Sequence, residues 1–238
     1  LLKLLFMGTI VLSLSATALA KEKIYVGTNA EFPPFEYLED GKITGFDMDL
    51  VQEIGKLVDA DIKIVDMAFD GLLPALQMKK VDLVIAGMTA NEERMKTVSF
   101  TQPYYTASQV IIVKEGNTSI KSFDDLKGRR VGVMLGFTGD MVVSEIDGVK
   151  IERFNAAYAG IMALKADKIE AVVLDSEPAK NYVAQNKGLV LADADAEQEE
   201  YAIAVRKNDK ALLEKVEKAL SELKENGTYD KLIQKYFN

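Results

Sequence analysis

The chain contains neither cysteine nor histidine. The absence of cysteine excludes disulfide bonds, thiolate metal sites and cysteine nucleophiles. The absence of histidine removes the commonest general base and the commonest metal ligand, so an enzyme would have to work with Asp, Glu, Lys, Tyr, Ser or Thr. We expect neither a cofactor nor a metal ion. The formal net charge of −8 at pH 7 argues against nucleic acid as a partner.

The first twenty residues differ from the rest. They read LLKLLFMGTIVLSLSATALA, with one lysine, an apolar stretch and a final Ala-Leu-Ala. This pattern is typical of a secretory signal peptide. A transmembrane anchor is the alternative, but the apolar core is short for a membrane span. The sequence therefore predicts a signal peptide over residues 1–20 and a periplasmic mature protein that begins at Lys21.

The whole chain has a globular composition, with 48% hydrophobic residues and a mean hydropathy of +0.01 over 238 residues. That length allows one large domain or two small ones. Short apolar runs such as IYVGT and RVGVM alternate with segments of helical spacing such as FDMDLVQEIGKLV. Strands separated by helices predict an α/β fold with mostly parallel sheets.

Two segments match each other without gaps, ALQMKKVDLVIAG at 75–87 and ALKADKIEAVVLD at 163–175. Four positions are identical, and the hydrophobic pattern agrees throughout. Generic α/β patterning explains this match as well as two similar lobes do, so both interpretations stay open. In α/β sheets, ligands bind beyond the carboxyl ends of the strands. The equivalent ends are Gly87 and Asp175, which would meet across one cleft if the lobes face each other.

Residues around these strand ends supply what a free α-amino acid requires. Its carboxylate favours a bidentate guanidinium with N–H or O–H donors, and its ammonium favours two or three acceptors. Arg94 provides the guanidinium, and Thr89 provides a hydroxyl and a backbone N–H. Asp175 provides a carboxylate and Gly87 a carbonyl oxygen. In GFTGD, Thr138 begins a predicted helix whose free N–H groups suit an anion.

Each of these residues also has a simpler interpretation. Arg94 in NEER fits a solvated helix residue, and GFTGD fits a plain strand-to-helix turn. Asp175 before Ser-Glu-Pro fits a cap on the following helix. Phe32 and Phe69 fit core residues as well as the walls of a ligand pocket. The joint occurrence of all these features favours a binding site.

Longer stretches of the chain resemble a known family. They are GTNAEFPPFEY, ITGFDMDLVQEI and FDGLLPALQMKKVDLVIAGMTANEERMKTVSFTQPYY. These are similar to the polar amino acid-binding proteins of bacterial ABC importers, solute-binding protein family 3. ENGTYDKLIQKYF is similar to that family's final helices, and the resemblance extends from about Lys23 to Phe237.

The resemblance implies a periplasmic binding protein-like type II fold, in which two α/β lobes are joined by a two-strand hinge. Lobe 1 would comprise residues 21–107 and 200–238, and lobe 2 residues 108–199. The chain would cross between them near residues 104–108 and 197–201.

The resemblance also assigns roles to matching positions. The ligand carboxylate would bind Arg94 and Thr138. The ammonium would bind Asp175 and the Gly87 carbonyl, and Thr89 would serve both groups. Two aromatic walls and several neighbouring residues complete the expected set of ligand contacts: Asn29, Glu31, Phe32, Asp47, Phe69, Ala86, Gly87, Met88, Thr89, Arg94, Leu135, Thr138 and Asp175.

Some departures from the family bear on ligand identity. Asn29 stands where members for basic amino acids often have Asp, which leaves Glu31 and Asp47 to meet a distal cation. Leu135 stands where several members have Gln, so the wall of lobe 2 is more apolar. A basic or polar ligand is expected, arginine first. Asp47 also fits a first-turn acid that stabilises a helix N-terminus.

The resulting hypothesis is a binding protein and not an enzyme. A monomer captures a free amino acid by hinge closure and delivers it to an ABC permease in the membrane. One alternative is a periplasmic enzyme on the same fold, similar to cyclohexadienyl dehydratase, which needs an acid poised to protonate a leaving hydroxyl. The other is a ligand-sensing receptor domain.

Overall fold

The structure is a computed structural model that describes residues 21–192, 194 and 198–237. The signal peptide expected over residues 1–20 lies outside these described residues. The strands, in chain order, are β1 (Glu22–Thr28), β2 (Glu31–Phe32), β3 (Glu36–Glu39), β4 (Lys42–Thr44), β5 (Ala60–Asp66), β6 (Leu83–Val84), β7 (Val98–Phe100), β8 (Tyr105–Lys114), β9 (Arg130–Met134), β10 (Lys150–Phe154), β11 (Ala171–Asp175), β12 (Leu189–Leu191), β13 (Gln198–Tyr201) and β14 (Ala204–Arg206).

Helices connect most of these strands. Their apolar faces cover the sheets, as the buried Leu50, Val51 and Ile54 of the first helix illustrate. The helices are α1 (Phe46–Leu57), α2 (Leu72–Gln77), α3 (Glu92–Met95), α4 (Thr138–Ser144), α5 (Ala157–Lys165), α6 (Ser176–Gln185), α7 (Lys210–Glu225) and α8 (Thr228–Phe237).

Two main sheets form the centres of two lobes. The first lobe contains the order β5-β1-β6-β14-β7, and the second contains β10-β9-β11-β8-β12. β1 is parallel to β5 and β6, and β9 is parallel to β10 and β11. The predicted two-lobed α/β fold is confirmed. Each sheet is mixed rather than mostly parallel, because β14 and β8 enter from the opposite lobe and run antiparallel to their neighbours.

Two antiparallel strands connect the lobes. The chain leaves the first sheet after β7, continues into β8, and returns through β13, which pairs with β8. The apolar stretch YAIAV at 201–205 is not one continuous strand, because β13 ends at Tyr201 and β14 begins at Ala204. The break allows the Ala202 N–H to donate to the Met88 carbonyl, so the chain changes its partner from β8 to the first lobe.

The two matching segments share one backbone structure. Each contains a residue in the left-handed region between helix and strand, Lys79 after α2 and Asp167 after α5, both with φ of 59°. The next amide closes the helix end, from Lys80 to the Ala75 carbonyl, and the equivalent residues of the second segment do the same. Each helix then leads to the central strand of its sheet. These shared features favour the interpretation of two similar lobes.

A close backbone contact fixes the start of α1. The amides of Phe46 and Asp47 donate to the carbonyls of Pro34 and Phe35, each at 2.9 Å. Gly45 has φ of 127°, and a Cβ added there would lie 2.2 Å from the Phe35 carbonyl oxygen. Only glycine fits this approach. The contact places Asp47 inside the first lobe, with none of its surface exposed.

Gly45→Ala is expected to lower the free energy of unfolding by at least about 2 kcal/mol, because the added Cβ meets backbone atoms at an unfavourable φ. Urea denaturation followed by circular dichroism measures the change. Gly71→Ala is the control, since Gly71 has φ of −82° and nothing within 4 Å of an added Cβ. It should change stability by no more than about 0.5 kcal/mol. Equal stability of the two variants would contradict this account of α1.

Candidate functional site

Arg94 lies at the junction of the two lobes. The Asn91 side chain caps α3 by accepting the Arg94 N–H at 2.9 Å. Arg94 is 5% exposed, and its guanidinium donates to the Thr89 carbonyl at 2.9 Å and to the Gly136 carbonyl of the second lobe at 3.0 Å. Its Cζ lies 5.3 Å from the centroid of the Phe69 ring. The simpler interpretation of Arg94 as a solvated helix residue is therefore wrong.

Two threonine hydroxyls join the lobes beside Arg94. Thr89 follows β6 in the first lobe, and Thr138 begins α4 in the second. Their Oγ1 atoms are 2.7 Å apart, and the Thr89 hydroxyl donates to the Glu199 carboxylate at 2.7 Å. Since a hydroxyl has one proton, Thr138 is the donor to Thr89. Thr89 and Thr138, both of which the sequence analysis assigned to the ligand carboxylate, thus lie side by side.

Asp175 ends β11 on the second lobe's side of the junction. It is 2% exposed, and its Oδ1 accepts the Tyr201 hydroxyl at 2.6 Å. Asp175 occupies the N-cap position of α6, but its side chain makes no capping hydrogen bond. Its interpretation as a helix cap is therefore wrong. Burial raises the pKa of the Asp175 carboxyl well above its usual value, and the charge of Glu199 raises it further.

Gly87 lies against two aromatic rings. Its φ is 51°, and an added Cβ would lie 2.5 Å from the Phe32 ring and 3.4 Å from the Tyr201 ring. Any larger residue would displace Phe32. The hydroxyl of Tyr201 also bonds to Asp175. Tyr201 therefore contacts both Gly87 and Asp175, the two strand ends identified in the sequence.

Asp47 is buried against the Gly87 backbone. Its buried carboxyl accepts the Gly87 N–H at 2.9 Å and the Tyr104 hydroxyl at 2.8 Å. The expectation that Asp47 meets the distal end of a ligand is corrected: this side chain holds the Gly87 backbone in place. Burial raises the pKa of Asp47 to about 6, although the hydrogen bonds from Gly87 and Tyr104 counteract part of the effect.

A third aromatic ring, which the sequence analysis missed, lies between the two expected walls. Phe32 and Phe69 come from the first lobe and are buried. Phe137 comes from the second lobe, and its ring centroid is 5.4 Å from that of Phe32 and 4.0 Å from that of Phe69. A ligand side chain between the walls has to share this space with Phe137. Phe137 directly precedes Thr138, but GFTGD does not reveal the direction of its ring.

Four further predicted residues support the site from its edges. Asn29 is buried, and its Nδ2 donates to the Met67 carbonyl at 3.0 Å. Ala86 and Met88 are buried next to the site's glycine, and Leu135 is half-buried in the second lobe. The Asn29 side chain is thus engaged with the backbone of its own lobe.

Glu31 is exposed and lines a groove between the lobes. The groove has a volume of about 580 Å³ and is bordered on the second lobe's side by Asn181, Tyr182 and Gln185. The Tyr182 hydroxyl donates to the Glu31 carbonyl at 3.2 Å, which joins the lobes at this edge. Burial raises the pKa of the Glu31 carboxyl, and the charge of Asp66 adds to the increase.

Glu36, within FPPFEY, is a buried acid that the sequence analysis did not single out. It is 0% exposed, and among the described residues no N–H or hydroxyl group donates a hydrogen bond to it. Burial raises the pKa of the Glu36 carboxyl well above its usual value, and the charges of Asp47, Asp175 and Asp66 raise it further. This part of the junction therefore has an excess of acidic groups.

Glu199 of β13 is a second missed acid. Its Oε2 accepts the Thr89 hydroxyl at 2.7 Å, and its Oε1 accepts Nε2 of Gln109 at 2.5 Å. A cavity of about 690 Å³ adjoins these groups and Thr138. The position of Glu199 depends on the pairing of β13 with β8. Local sequence patterns do not reveal this pairing. The neighbouring charges of Asp175 and Glu199 oppose the lowering of the Arg94 pKa by burial.

Comparisons with known proteins agree with this geometry. The sequence profile of the bacterial extracellular solute-binding proteins, family 3, matches residues 24–238. The chain is 39% identical over 229 residues to the arginine-binding extracellular protein ArtP of Bacillus subtilis (strain 168), which covers 94% of this chain and 89% of that protein.

Solved structures are also similar. An ancestral arginine-binding protein bound to arginine has a TM-score of 0.89 and 46% identity, covering 92% of this chain and 99% of that one. AncCDT-1, an ancestral amino acid-binding protein described as a precursor of cyclohexadienyl dehydratase, has a TM-score of 0.85 and 38% identity, covering 91% and 96%. Over the described residues, the helices are too short or too polar to cross a membrane.

Asp47→Asn is expected to change how stability depends on pH. Because folding raises the pKa of Asp47 to about 6, the folded state favours the protonated acid. The stability this provides is complete below about pH 4 and is lost as pH rises through about 6. Asparagine keeps an acceptor for Gly87 and Tyr104 but does not ionise. The unfolding free energy of the variant relative to wild type should therefore rise by roughly 2–3 kcal/mol across this range.

Urea denaturation at half-unit pH steps from about 4 to 7 measures the difference. Asp49→Asn, on the outer side of the same helix, is the control for loss of one negative charge. Parallel pH profiles for wild type and Asp47→Asn would contradict the burial of an ionisable Asp47.

Proposed function

Since the chain belongs to the bacterial extracellular solute-binding proteins, family 3, we propose that it captures a free α-amino acid between its lobes and delivers it to an ABC importer. The observation that carries this proposal is the placement of buried Arg94 and buried Asp175 on opposite sides of one junction. A zwitterion bears the complementary charges in the same molecule.

The head of the ligand would bind as follows. The carboxylate pairs with the Arg94 guanidinium and accepts a hydrogen bond from the Thr138 hydroxyl. The ammonium bonds to Asp175 and to the Gly87 carbonyl. Charge-assisted hydrogen bonds of this kind contribute roughly 1.5–3 kcal/mol each, so that a few of them suffice for micromolar binding after the cost of ordering.

The side chain of the ligand would lie among Phe32, Phe69 and Phe137. Glu31 directly precedes Phe32 and lines the groove between the lobes, so a second positive charge on the ligand has an acidic partner there. Aromatic faces also attract a guanidinium or ammonium. Arginine is therefore the preferred ligand, and the named relatives that bind arginine support this choice.

Lobe closure would complete the site. Lobe 1 then comprises residues 21–107 and 200–238 and lobe 2 residues 108–199, with a hinge near 104–108 and 197–201. The pairing of β8 with β13 across this region supports the placement. Contacts from both lobes to one ligand favour the closed arrangement. We further propose a monomer that is exported by a cleaved signal peptide, acts in the periplasm and docks on a membrane permease.

The observation that favours an enzyme is the raised pKa of Asp175, since a protonated carboxyl can act as an acid. A ligand ammonium beside Asp175 would favour the ionised form. The relatives described above are named as binding proteins. Binding without turnover is therefore the proposed activity.

Arg94→Lys tests the proposed carboxylate site. Lysine keeps the positive charge but loses the bidentate fork, so affinity should fall at least about tenfold for every amino acid that binds the wild type. Thermal melts against the twenty amino acids, ornithine and citrulline measure this. A ligand at about a hundred times its Kd adds about 2.7 kcal/mol to stability.

Arg130→Lys, at an exposed position on β9, is the matched control and should keep the wild-type shifts. Melts without ligand show whether each variant folds. The absence of a shift with any amino acid in wild type would overturn the proposed function, and unchanged shifts in Arg94→Lys would overturn the carboxylate assignment.

Glu31→Gln tests the choice of arginine over neutral ligands. Loss of the Glu31 carboxylate from the groove should lower the affinity for arginine about threefold or more relative to that for glutamine, because only arginine carries a side-chain charge. Isothermal titration with both ligands gives the ratio. Glu214→Gln removes an exposed acid from α7 and should leave the ratio unchanged. An unchanged ratio in Glu31→Gln would refute its role in selectivity.

A further inference from the structure

Basic side chains gather at the end of the first sheet that lies opposite the candidate site. The turn after α2 leads into β6 and the turn after α3 leads into β7, while β14 runs antiparallel to both strands and ends beside these turns. Gly87 and Thr89 follow the other end of β6. The three turns are therefore separated from the junction of the lobes by the length of the sheet.

Side-chain contacts hold the three turns against one another. Arg206, at the end of β14, donates to the Val81 carbonyl at 2.8 Å. The Lys207 ammonium donates to the carbonyls of Met95 and Lys96 at 3.1 and 2.9 Å. A cavity of about 510 Å³ opens between the turns. The basic residues of this surface, here named the cationic patch, are Lys79, Lys80, Lys96, Arg206, Lys207 and Lys210.

The cationic patch has an excess of positive charge. The acids beside it, Asp82 and Asp209, both pair with Arg206, at 3.3 and 3.0 Å. The five lysines of the patch are exposed, and none forms a salt bridge within the part of the chain that the structure describes. The next acids along the chain, Glu93 and Glu214, lie on α3 and α7 beyond the turns. Because the whole chain has a net charge of −8, a local excess of cations indicates an anionic partner.

Two exposed methionines lie within the same turns. Met78 is 65% exposed and directly precedes Lys79, and Met95 is 44% exposed and directly precedes Lys96. Cations next to exposed apolar side chains suit the interface of a membrane, where anionic headgroups lie above the acyl chains. A soluble phosphate compound or an acidic protein surface would satisfy the lysines but not the methionines. The combination favours a lipid surface.

The start of β1 lies at the same end of the first sheet. The Tyr25 N–H donates to the Asp82 carboxylate at 3.0 Å, and Arg206 bonds to the same carboxylate. The first residues of β1, from Glu22, therefore lie beside the cationic patch. In the sequence, the apolar stretch of residues 1–20 directly precedes Lys21. While the expected signal peptide is attached, it would hold this end of the first lobe at the membrane.

We propose that the cationic patch docks the first lobe on the anionic surface of a phospholipid membrane. The lysines contact the phosphate headgroups, and Met78 and Met95 reach the boundary with the acyl chains. Docking in this orientation keeps the junction of the lobes, at the other end of the sheet, clear of the lipid and accessible to solute. The inference goes beyond the proposed function and does not depend on which ligand is bound.

Co-sedimentation of the exported protein with phospholipid vesicles tests the inference. Vesicles of phosphatidylcholine and phosphatidylglycerol at about two to one supply an anionic surface, and vesicles of phosphatidylcholine alone measure any contribution that does not need anionic lipid. At low salt, the affinity for the anionic vesicles should be at least about tenfold higher than that for the neutral ones. This preference should disappear by about 0.5 M NaCl, because salt screens exposed charges.

Lys79→Gln/Lys80→Gln/Lys96→Gln should lower the affinity for anionic vesicles at least about tenfold, since one basic residue near such a surface contributes roughly fivefold. These side chains are exposed, so the variant should fold as wild type does. Isothermal titration with arginine should give the wild-type Kd, because the candidate site lies at the other end of the sheet.

Lys121→Gln/Lys127→Gln/Lys187→Gln is the matched control. It removes three exposed lysines from the second lobe and changes the net charge by the same amount. This variant should bind anionic vesicles as wild type does. An equal loss of binding in both triple variants would show that net charge is responsible, and would overturn the role of the cationic patch.

Equal affinity of the wild-type protein for anionic and neutral vesicles would overturn the inference without the use of any variant. Wild-type binding by the patch variant would overturn it as well. The titration with arginine is a separate measurement, so the absence of amino acid binding would overturn the proposed function and leave the membrane docking in place.

Discussion

The burial of charged side chains where the two lobes meet is the main constraint on this structure. Arg94 and Asp175 are both almost fully buried, and the removal of each charge from water costs several kcal/mol unless partners compensate for it. The carbonyls of Thr89 and Gly136 offset part of this cost for the guanidinium. The proposed zwitterionic ligand would offset the rest on both sides at once and would thereby favour closure of the lobes.

The supports of these charges lie outside the junction. The close contact at Gly45 sets the start of α1, which places Asp47 where it accepts the Gly87 N–H. Gly87 in turn makes room for Phe32 and Tyr201, and Tyr201 holds Asp175. One line of contacts thus extends from the hairpin of the first lobe to Asp175 of the second. A substitution at Gly45 therefore affects residues that Gly45 does not contact.

The fold class and several of the residues at the junction could be predicted from the sequence, because alternating strands and helices place chemistry at strand ends. Thr89 and Arg94 follow the end of β6 by five and ten residues, so local spacing reveals them. The direction of Asp47 could not be predicted, since one position in α1 serves either a ligand or a neighbouring backbone. Glu199 meets Gln109 across ninety residues, and only the pairing of β13 with β8 brings them together.

The matched helix-and-strand units of the two lobes have a stereochemical consequence. They end at equivalent positions, yet the first is followed by the Thr89 carbonyl that binds the Arg94 guanidinium, and the second presents a carboxyl. A pseudosymmetric framework therefore carries an asymmetric pair of charges, and the three phenylalanine rings define a third direction. A tetrahedral carbon whose three substituents point in these three directions fits in one configuration only. The enantiomer of a bound ligand would therefore lose at least one of its contacts.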